Sequence, residues 1–225
     1  MATNQTLVVS ELFYSLQGES SYSGLPCVFI RLSGCNLRCG YCDAAYTYEE
    51  EGRLVNLDTI INFVDEYKNA IVEVTGGEPL LQENIYLLLK KLHEKGRKTL
   101  IETNGSVAID RIPVDVCTIV DVKCPSSGFE TSFEHANLLH IKKRMGLDCQ
   151  STEVKFVISD QNDYQWAKQF ISKHDLASIV PILFSPVTSS IQAKELGELI
   201  LIDQLNVRLQ LQLHTLLWPD KKRGV

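Results

Sequence analysis

Short apolar runs rich in β-branched residues recur along the chain: 27–32 (CVFIRL), 71–75 (IVEVT), 98–102 (KTLIE), 117–122 (CTIVDV), 153–158 (EVKFVI), 179–184 (IVPILF) and 207–213 (VRLQLQL). Most lack strict polar alternation, as strands covered on both faces do. The last alternates, which predicts an edge position or a place over a cavity. Between the runs the apolar spacing switches to three and four. Leu57, Ile60, Ile61, Val64 and Tyr67 form one helical stripe over 57–70, with Asn56 as its cap. Leu81, Ile85, Leu88, Leu89 and Leu92 repeat the pattern over 80–95, and Gly96 ends it. Segments 132–146, 161–174 and 190–204 read as further helices. Strands alternating with helices predict an α/β fold with a parallel sheet, either doubly wound or a partial barrel. Catalytic groups then belong at the carboxyl ends of the strands. Thr75-Gly76-Gly77-Glu78, Glu102-Thr103-Asn104-Gly105, Asp121-Val122-Lys123 and Ser185-Pro186 all fall there.

Composition narrows the class. The 225 residues are 44% hydrophobic and 22% charged, which excludes a disordered or collagen-like chain. They predict one domain spanning 1–225. A net charge of −6 argues against a broad nucleic-acid-coating surface. No apolar run approaches the about 18 residues of a membrane span. The opening MATNQTL lacks a charged segment followed by an apolar one, so a cytoplasmic protein is expected.

Three of the seven cysteines, Cys35, Cys39 and Cys42, fall within one short loop directly after a predicted strand. Thiolates spaced C-x3-C-x2-C converge on a soft metal centre from a single loop. Structural zinc takes four ligands, and no fourth Cys or His stands nearby in sequence. A four-iron cluster on three thiolates keeps one iron open to react, unlike the four-cysteine sites of ferredoxins. Unliganded buried thiols, or zinc with a distant fourth ligand, are the plainer alternatives. Cys27, Cys117 and Cys149 show no ligand spacing and read as small buried hydrophobes, which argues against a second cluster.

The cysteine motif, with Tyr41 before the last ligand, resembles that of the radical S-adenosylmethionine (SAM) superfamily. Gly76-Gly77-Glu78-Pro79 resembles its GGEP segment. Four further stretches resemble the 7-carboxy-7-deazaguanine synthases within it. They are Leu16-Gln17-Gly18-Glu19, Phe29-Ile30-Arg31-Leu32-Ser33-Gly34-Cys35, residues 121–128 (DVKCPSSG), and Leu211-Gln212-Leu213-His214 with Trp218-Pro219. The resemblance covers nearly the whole chain. It implies a partial, incomplete TIM-like barrel of mostly parallel strands with outer helices. It also implies a [4Fe-4S] cluster and SAM, an external electron donor of flavodoxin or ferredoxin type, and a homodimer. The implied activity is that of a lyase in queuosine and other 7-deazapurine biosynthesis. A 5′-deoxyadenosyl radical takes hydrogen from 6-carboxy-5,6,7,8-tetrahydropterin, the ring contracts, ammonia leaves, and SAM is regenerated. Neither nucleic acid nor membrane is an implied partner.

Residue roles follow from the same resemblance. Cys35, Cys39 and Cys42 hold the cluster. Tyr41, Cys42, Asp43, Gly77, Lys123, Cys124, Pro125, Ser126, Ser185 and Pro186 surround SAM. Leu16, Gln17, Gly18, Glu19, Arg31, Thr75 and His214 meet the substrate. Arg31 suits the pterin carboxylate, which a guanidinium binds in a bidentate way. Each has a plainer alternative: Arg31 as an ion-paired residue of an edge strand, Asn104 and Gly105 as a turn, His214 as a structural histidine. Lys221-Lys222-Arg223 reads as a solvated tail. The family carries a Thr or Ser on Mg²⁺ two residues after the last cysteine, where this chain has Ala44. A methyl group cannot ligate a hard cation. Mg²⁺ is then either dispensable or held by substrate oxygens, water and another side chain. Two other classes fit the cysteine spacing. One is a radical SAM activase acting on a glycine of a partner protein, which needs an open groove. The other is a non-catalytic iron–sulfur or zinc protein.

Overall fold

The computed structural model describes residues 5–144 and 152–225, so Cys149 and the last two positions of the 132–146 segment lie outside the described residues. One sheet of nine strands organises the chain, in the order β3-β1-β2-β4-β5-β6-β7-β8-β9. The strands are β1 (Thr6–Leu16), β2 (Pro26–Leu32), β3 (Arg53–Asn56), β4 (Ile71–Gly76), β5 (Thr99–Thr103), β6 (Cys117–Asp121), β7 (Thr152–Ile158), β8 (Ile182–Pro186) and β9 (Arg208–Leu209). From β2 through β9 every pairing is parallel; β1 runs antiparallel to both β2 and β3. The sheet ends at β3 and β9 without closing, an incomplete barrel of mostly parallel strands as expected.

The helices are α1 (Tyr46–Glu49), α2 (Leu57–Asp65), α3 (Ile85–Glu94), α4 (Asn137–Arg144), α5 (Gln161–His174), α6 (Ala193–Ile202) and α7 (Leu213–Leu217). Asn56 caps α2 by accepting from the Asp58 N–H at 2.9 Å. The helix stops at Asp65 rather than 70. The Glu66 and Tyr67 N–H groups bond the Phe63 and Val64 carbonyls, three residues back, and Arg97 takes the carbonyls of Tyr67, Lys68 and Ala70 that follow. Gly96, at φ +68°, ends α3 while the Arg97 N–H bonds back to the Leu92 carbonyl. α4 starts at 137, not 132: the Glu134 N–H bonds the Gly105 carbonyl, and the Asn137 side chain binds the Gly105 and Val107 carbonyls and the Ile109 N–H. The predicted strand 207–213 shrinks to Arg208–Leu209. Past Gln210 the Leu213 N–H bonds the Gly18 carbonyl, and the chain turns into α7. β1 and β3 were not foreseen, since their polar positions break the apolar runs.

Strand alternation sorts two cores. Val28, Ile30, Val72, Val74, Ile101, Val120, Val154 and Phe156 face the helices and join the main core. The alternate positions face the barrel interior, where Leu100, Cys117 and Ile119 form a small separate cluster with Tyr22 and Ile71. Toward the carboxyl ends the same inward rows turn polar: Arg31 on β2, Glu73 and Thr75 on β4, Glu102 on β5, Asp121 on β6 and Lys155 on β7.

Candidate active site

A cavity of about 550 Å³ opens at the carboxyl ends of the strands, with the cysteine loop on one side and the inward charged residues on the other. That size suits a small-molecule site.

The loop leaves β2 at Gly34 and packs against the turn that follows β4. The Glu78 N–H bonds the Gly34 carbonyl at 2.8 Å, and the Gly77 N–H bonds the Leu32 carbonyl at 3.2 Å. A Cβ on Gly77 would lie 2.0 Å from the Gly34 oxygen and 2.8 Å from the Cys35 Cβ. The glycine is therefore demanded first by the base of the cysteine loop, before any ligand approaches. Glu78 points inward, where it accepts from the Leu80 and Asn104 N–H groups and the Thr103 hydroxyl. Arg38 ties the loop down through the Cys35 and Leu37 carbonyls and lies 4.0 Å over the Tyr48 ring.

All three loop thiols line the cavity. Burial pushes Cys39 and Cys42 up; Lys123 opposes that at both, and the Ala44 N–H bonded to Cys42 opposes it there. The Cys35 sulfur accepts from the Leu37 N–H at 3.4 Å and from the Asn104 amide at 3.8 Å. Donors and a cation turned on the sulfurs fit a cluster held by thiolates, whose properties such hydrogen bonds tune. Among the described residues no three Cys, His, Asp or Glu side chains converge on a single ion position.

The opposite wall is a charge network. Lys155, 5% exposed, bonds Glu19 Oε2 at 2.9 Å, is ion-paired with Glu102, and stands 3.8 Å from Asp121. Asp121 also holds Lys123 at 2.8 Å. Burial pushes Glu19 up, but Lys155, Gln212 and His214 outweigh it and hold the carboxyl below its ordinary value. Glu102 stays raised, by burial first and then by Glu19 and Asp121, against the pull of Lys155. Burial raises Glu73 further, with Glu102 and Glu19 adding to it. Arg31 sits on an internal strand, not an edge; its Nε donates to Glu11 Oε1 at 2.8 Å, an oxygen that also accepts from the Tyr46 hydroxyl.

The radical SAM superfamily model matches residues 29–122. The 7-carboxy-7-deazaguanine synthase of Chlorobaculum tepidum is 41% identical over 225 residues, the whole of both chains. That of Koribacter versatilis is 41% identical over 96% of this chain and 99% of its own. The chain belongs to the 7-carboxy-7-deazaguanine synthase family. The crystal structure of QueE from Escherichia coli shares the fold, with a TM-score of 0.74 at 21% identity over 95% of this chain and 100% of that one.

Within this synthase fold the expected residues divide. Cys35, Cys39, Cys42, Tyr41, Asp43, Gly77, Lys123 and Pro186 line the cavity, as do Leu16, Gln17, Gly18, Glu19, Arg31, Thr75 and His214. Cys124, Pro125, Ser126 and Ser185 stand just behind that lining, and the turn that Cys124 opens meets the cysteine loop where the Gly40 N–H bonds the Ser127 carbonyl at 3.3 Å. Cys124 is buried in the helix-facing core. The Ser126 N–H bonds Asp163 and its hydroxyl bonds Asp160, so the start of α5 fixes the turn from its far side. Ser185 is buried within β8. His214 sits in the first turn of α7, packed so closely that a Cβ on Gly18 would lie 2.5 Å from its Nδ1. Cys27 and Cys117 are buried and unbridged.

The 221–223 run is exposed, as a solvated tail is, but it also borders the site. Lys221 and Lys222 line the cavity, and Arg223 bonds Glu50 and lies 4.1 Å over the Tyr46 ring. Glu102 stands in one of the strand-end polar motifs, whereas no motif marks Glu73 or Lys155. The available signal is a charged residue inside each of these largely apolar strands (two on β7, Glu153 and Lys155), all on the inward period-2 face.

Proposed function

We infer that this chain converts 6-carboxy-5,6,7,8-tetrahydropterin to 7-carboxy-7-deazaguanine with loss of ammonia. One observation carries the reading: a single cavity joins the three thiols of one loop to a wall of carboxyls and a guanidinium. A [4Fe-4S] cluster on Cys35, Cys39 and Cys42, with SAM beside it, would supply the radical hydrogen-abstraction chemistry.

The chain's own residues hold and orient. Cys35, Cys39 and Cys42 are the cluster ligands, with Leu37, Asn104, Ala44 and Lys123 supporting their thiolates. Tyr41, Asp43, Gly77, Lys123 and Pro186 form the SAM wall. Arg31 takes the substrate carboxylate through the guanidinium nitrogens that Glu11 leaves free, because Glu11 engages only Nε. Glu19, kept ionised by Lys155, accepts from the pterin's amino and ring N–H groups. Leu16, Gln17, Gly18, Thr75 and His214 complete the pterin wall. Any Mg²⁺ is assigned to substrate oxygens and water, since Ala44 presents a methyl at the expected ligand position. The chain is taken to act as a cytoplasmic homodimer with an external one-electron donor. Among the described residues no helix is long and apolar enough to cross a membrane. A protein-activating role needs an open groove, whereas Lys221, Lys222 and Val225 lie in the cavity wall.

The test is an anaerobic assay with dithionite, SAM and 6-carboxytetrahydropterin, reading product by mass. The expected product is 7-carboxy-7-deazaguanine; SAM cleavage without it overturns the assignment. Reconstituted protein containing zinc and no labile sulfide overturns the radical chemistry altogether.

A further inference from the structure

Glu73 is the one charged-type residue on the inner face of β4, and the mechanism above leaves it without a task. It is 4% exposed and lines the cavity. The groups facing it come from every neighbouring element: Arg31 and Cys27 on β2, Glu19 after β1, Glu102 on β5, Cys117 on β6 and Lys155 on β7. Yet neither nearby cation bonds it: Arg31 donates through Nε to Glu11, and Lys155 pairs with Glu19 and Glu102. Among the described residues no Lys or Arg forms an ion pair with Glu73. A buried carboxyl without a cation, beside two other carboxyls, holds its proton. Its Oε2 accepts from the Gln17 amide, and Oε1 has no protein partner among the described residues.

Gln17 fixes the spacing of two unlike acids. Its carbonyl accepts from the Glu19 N–H at 3.0 Å while its amide nitrogen donates to Glu73. The wall therefore presents an ionised carboxylate, which only accepts, next to a neutral carboxyl, which can donate. The edge of a pterin runs amino group, ring N–H, oxo group: two donors followed by an acceptor. A carboxylate satisfies the two donors, and the acceptor needs a donor beside it.

We propose that Glu73 is a specificity residue of the pterin subsite, donating a hydrogen bond from Oε1 to the oxo oxygen while Gln17 holds Oε2. This rests on the pterin reading above and assigns a group that reading did not use.

Two measurements test it on the purified chain. Difference infrared spectroscopy of wild type against Glu73→Gln should show the carbonyl band of a protonated carboxylic acid at neutral pH, absent in the variant. Binding of two stable probes gives the second readout: 6-carboxypterin, and 2,4-diamino-6-carboxypteridine, in which an amino group replaces the oxo. Wild type should prefer the oxo probe by about tenfold or more, the size of discrimination a lost hydrogen bond gives. Glu73→Met should lose most of that preference. Glu73→Gln should bind both probes, since an amide can turn either its N–H or its oxygen to the ligand. A missing acid band, or wild-type preference for the diamino probe, overturns the proposal. Turnover of carboxytetrahydropterin separates the two levels: turnover with no acid band removes only Glu73's role, and no turnover removes the functional reading and the proposal with it.

Discussion

Lys155→Met is the sharpest perturbation the barrel interior offers. The side chain is 6% exposed and its ammonium faces Glu19, Glu102 and Asp121 together. A methionine fills the same space and removes the charge, leaving the acids without their common partner; Asp121 alone keeps Lys123. Removing one member of a buried pair costs about 3–5 kcal/mol. In a chain of this size that lowers Tm by on the order of 10 °C. The pH dependence identifies the cause. In wild type Lys155 helps hold Glu19 below its ordinary value, so this stability is present above the ordinary carboxylate range and is lost as pH falls through the folded value. Without Lys155, burial dominates at Glu19 and Glu102 and both rise. The folded variant then binds protons that the unfolded chain does not, and its stability increases as pH falls. Urea unfolding followed by circular dichroism should show a gap between the two proteins that narrows from about pH 8 to about pH 5. A gap that is constant over that range, or a loss below about 1 kcal/mol, would refute the buried-charge account.

Three further outcomes are expected. Gly77→Ala should lower the iron content after anaerobic reconstitution several-fold while far-ultraviolet circular dichroism is kept, because the new Cβ displaces Gly34 and Cys35; full iron loading would show that the loop yields at no cost. Ala44→Thr should increase the Mg²⁺ dependence of the rate, and an unchanged response would remove this position from control of the metal. Arg223→Ala should raise KM for the pterin with Tm unmoved, since the Arg223–Glu50 pair is exposed while its neighbours line the cavity; a lowered Tm with KM unchanged would make the 221–225 segment packing alone.

The helix-facing half of this fold is written in apolar density, and it is readable for that reason. Asp160 accepts from the Asp163 N–H at the start of α5, which begins and ends where the spacing predicts. The parallel strands from β2 to β8 likewise stand where apolar runs mark them, within a few residues. The inward half is harder because a strand buried on both faces offers no polar alternation to orient it. Glu73 between Val72 and Val74, or Lys155 between Val154 and Phe156, looks like an isolated interruption until the neighbouring strands are in register. The cysteine loop was legible because its chemistry is local, three thiols on one turn. The wall facing it was not, because Lys155 meets Glu19 across a sequence separation of 136 residues. Ser126 shows the same long reach: its turn meets the cysteine loop at Gly40 and is held there by Asp160 and Asp163 at the start of α5.

The connection between β1 and β2 explains how an unclosed sheet still makes an enclosed site. β3 and β9 leave the barrel open, so strand pairing alone cannot bring the first strands to the last. Residues 17–25 cross that distance. Tyr22 packs on the interior cluster of Leu100, Cys117 and Ile119, and the Ser21 N–H bonds Glu153 on β7 at 3.1 Å. Arg208 on β9 reaches the Ser21 hydroxyl at 2.8 Å, and the Gly18 carbonyl takes the Leu213 N–H at the start of α7. The loop is thus fastened to both sides of the opening, and Gln17 and Glu19 are carried into the cavity by the same fastening. A closed barrel would fill this interior with layers of side chains. Here one loop fills its lower end, and the space above it is left for ligands. Substitutions at Ser21 or Arg208, which do not line the cavity, therefore act on the pterin wall through the position of Glu19.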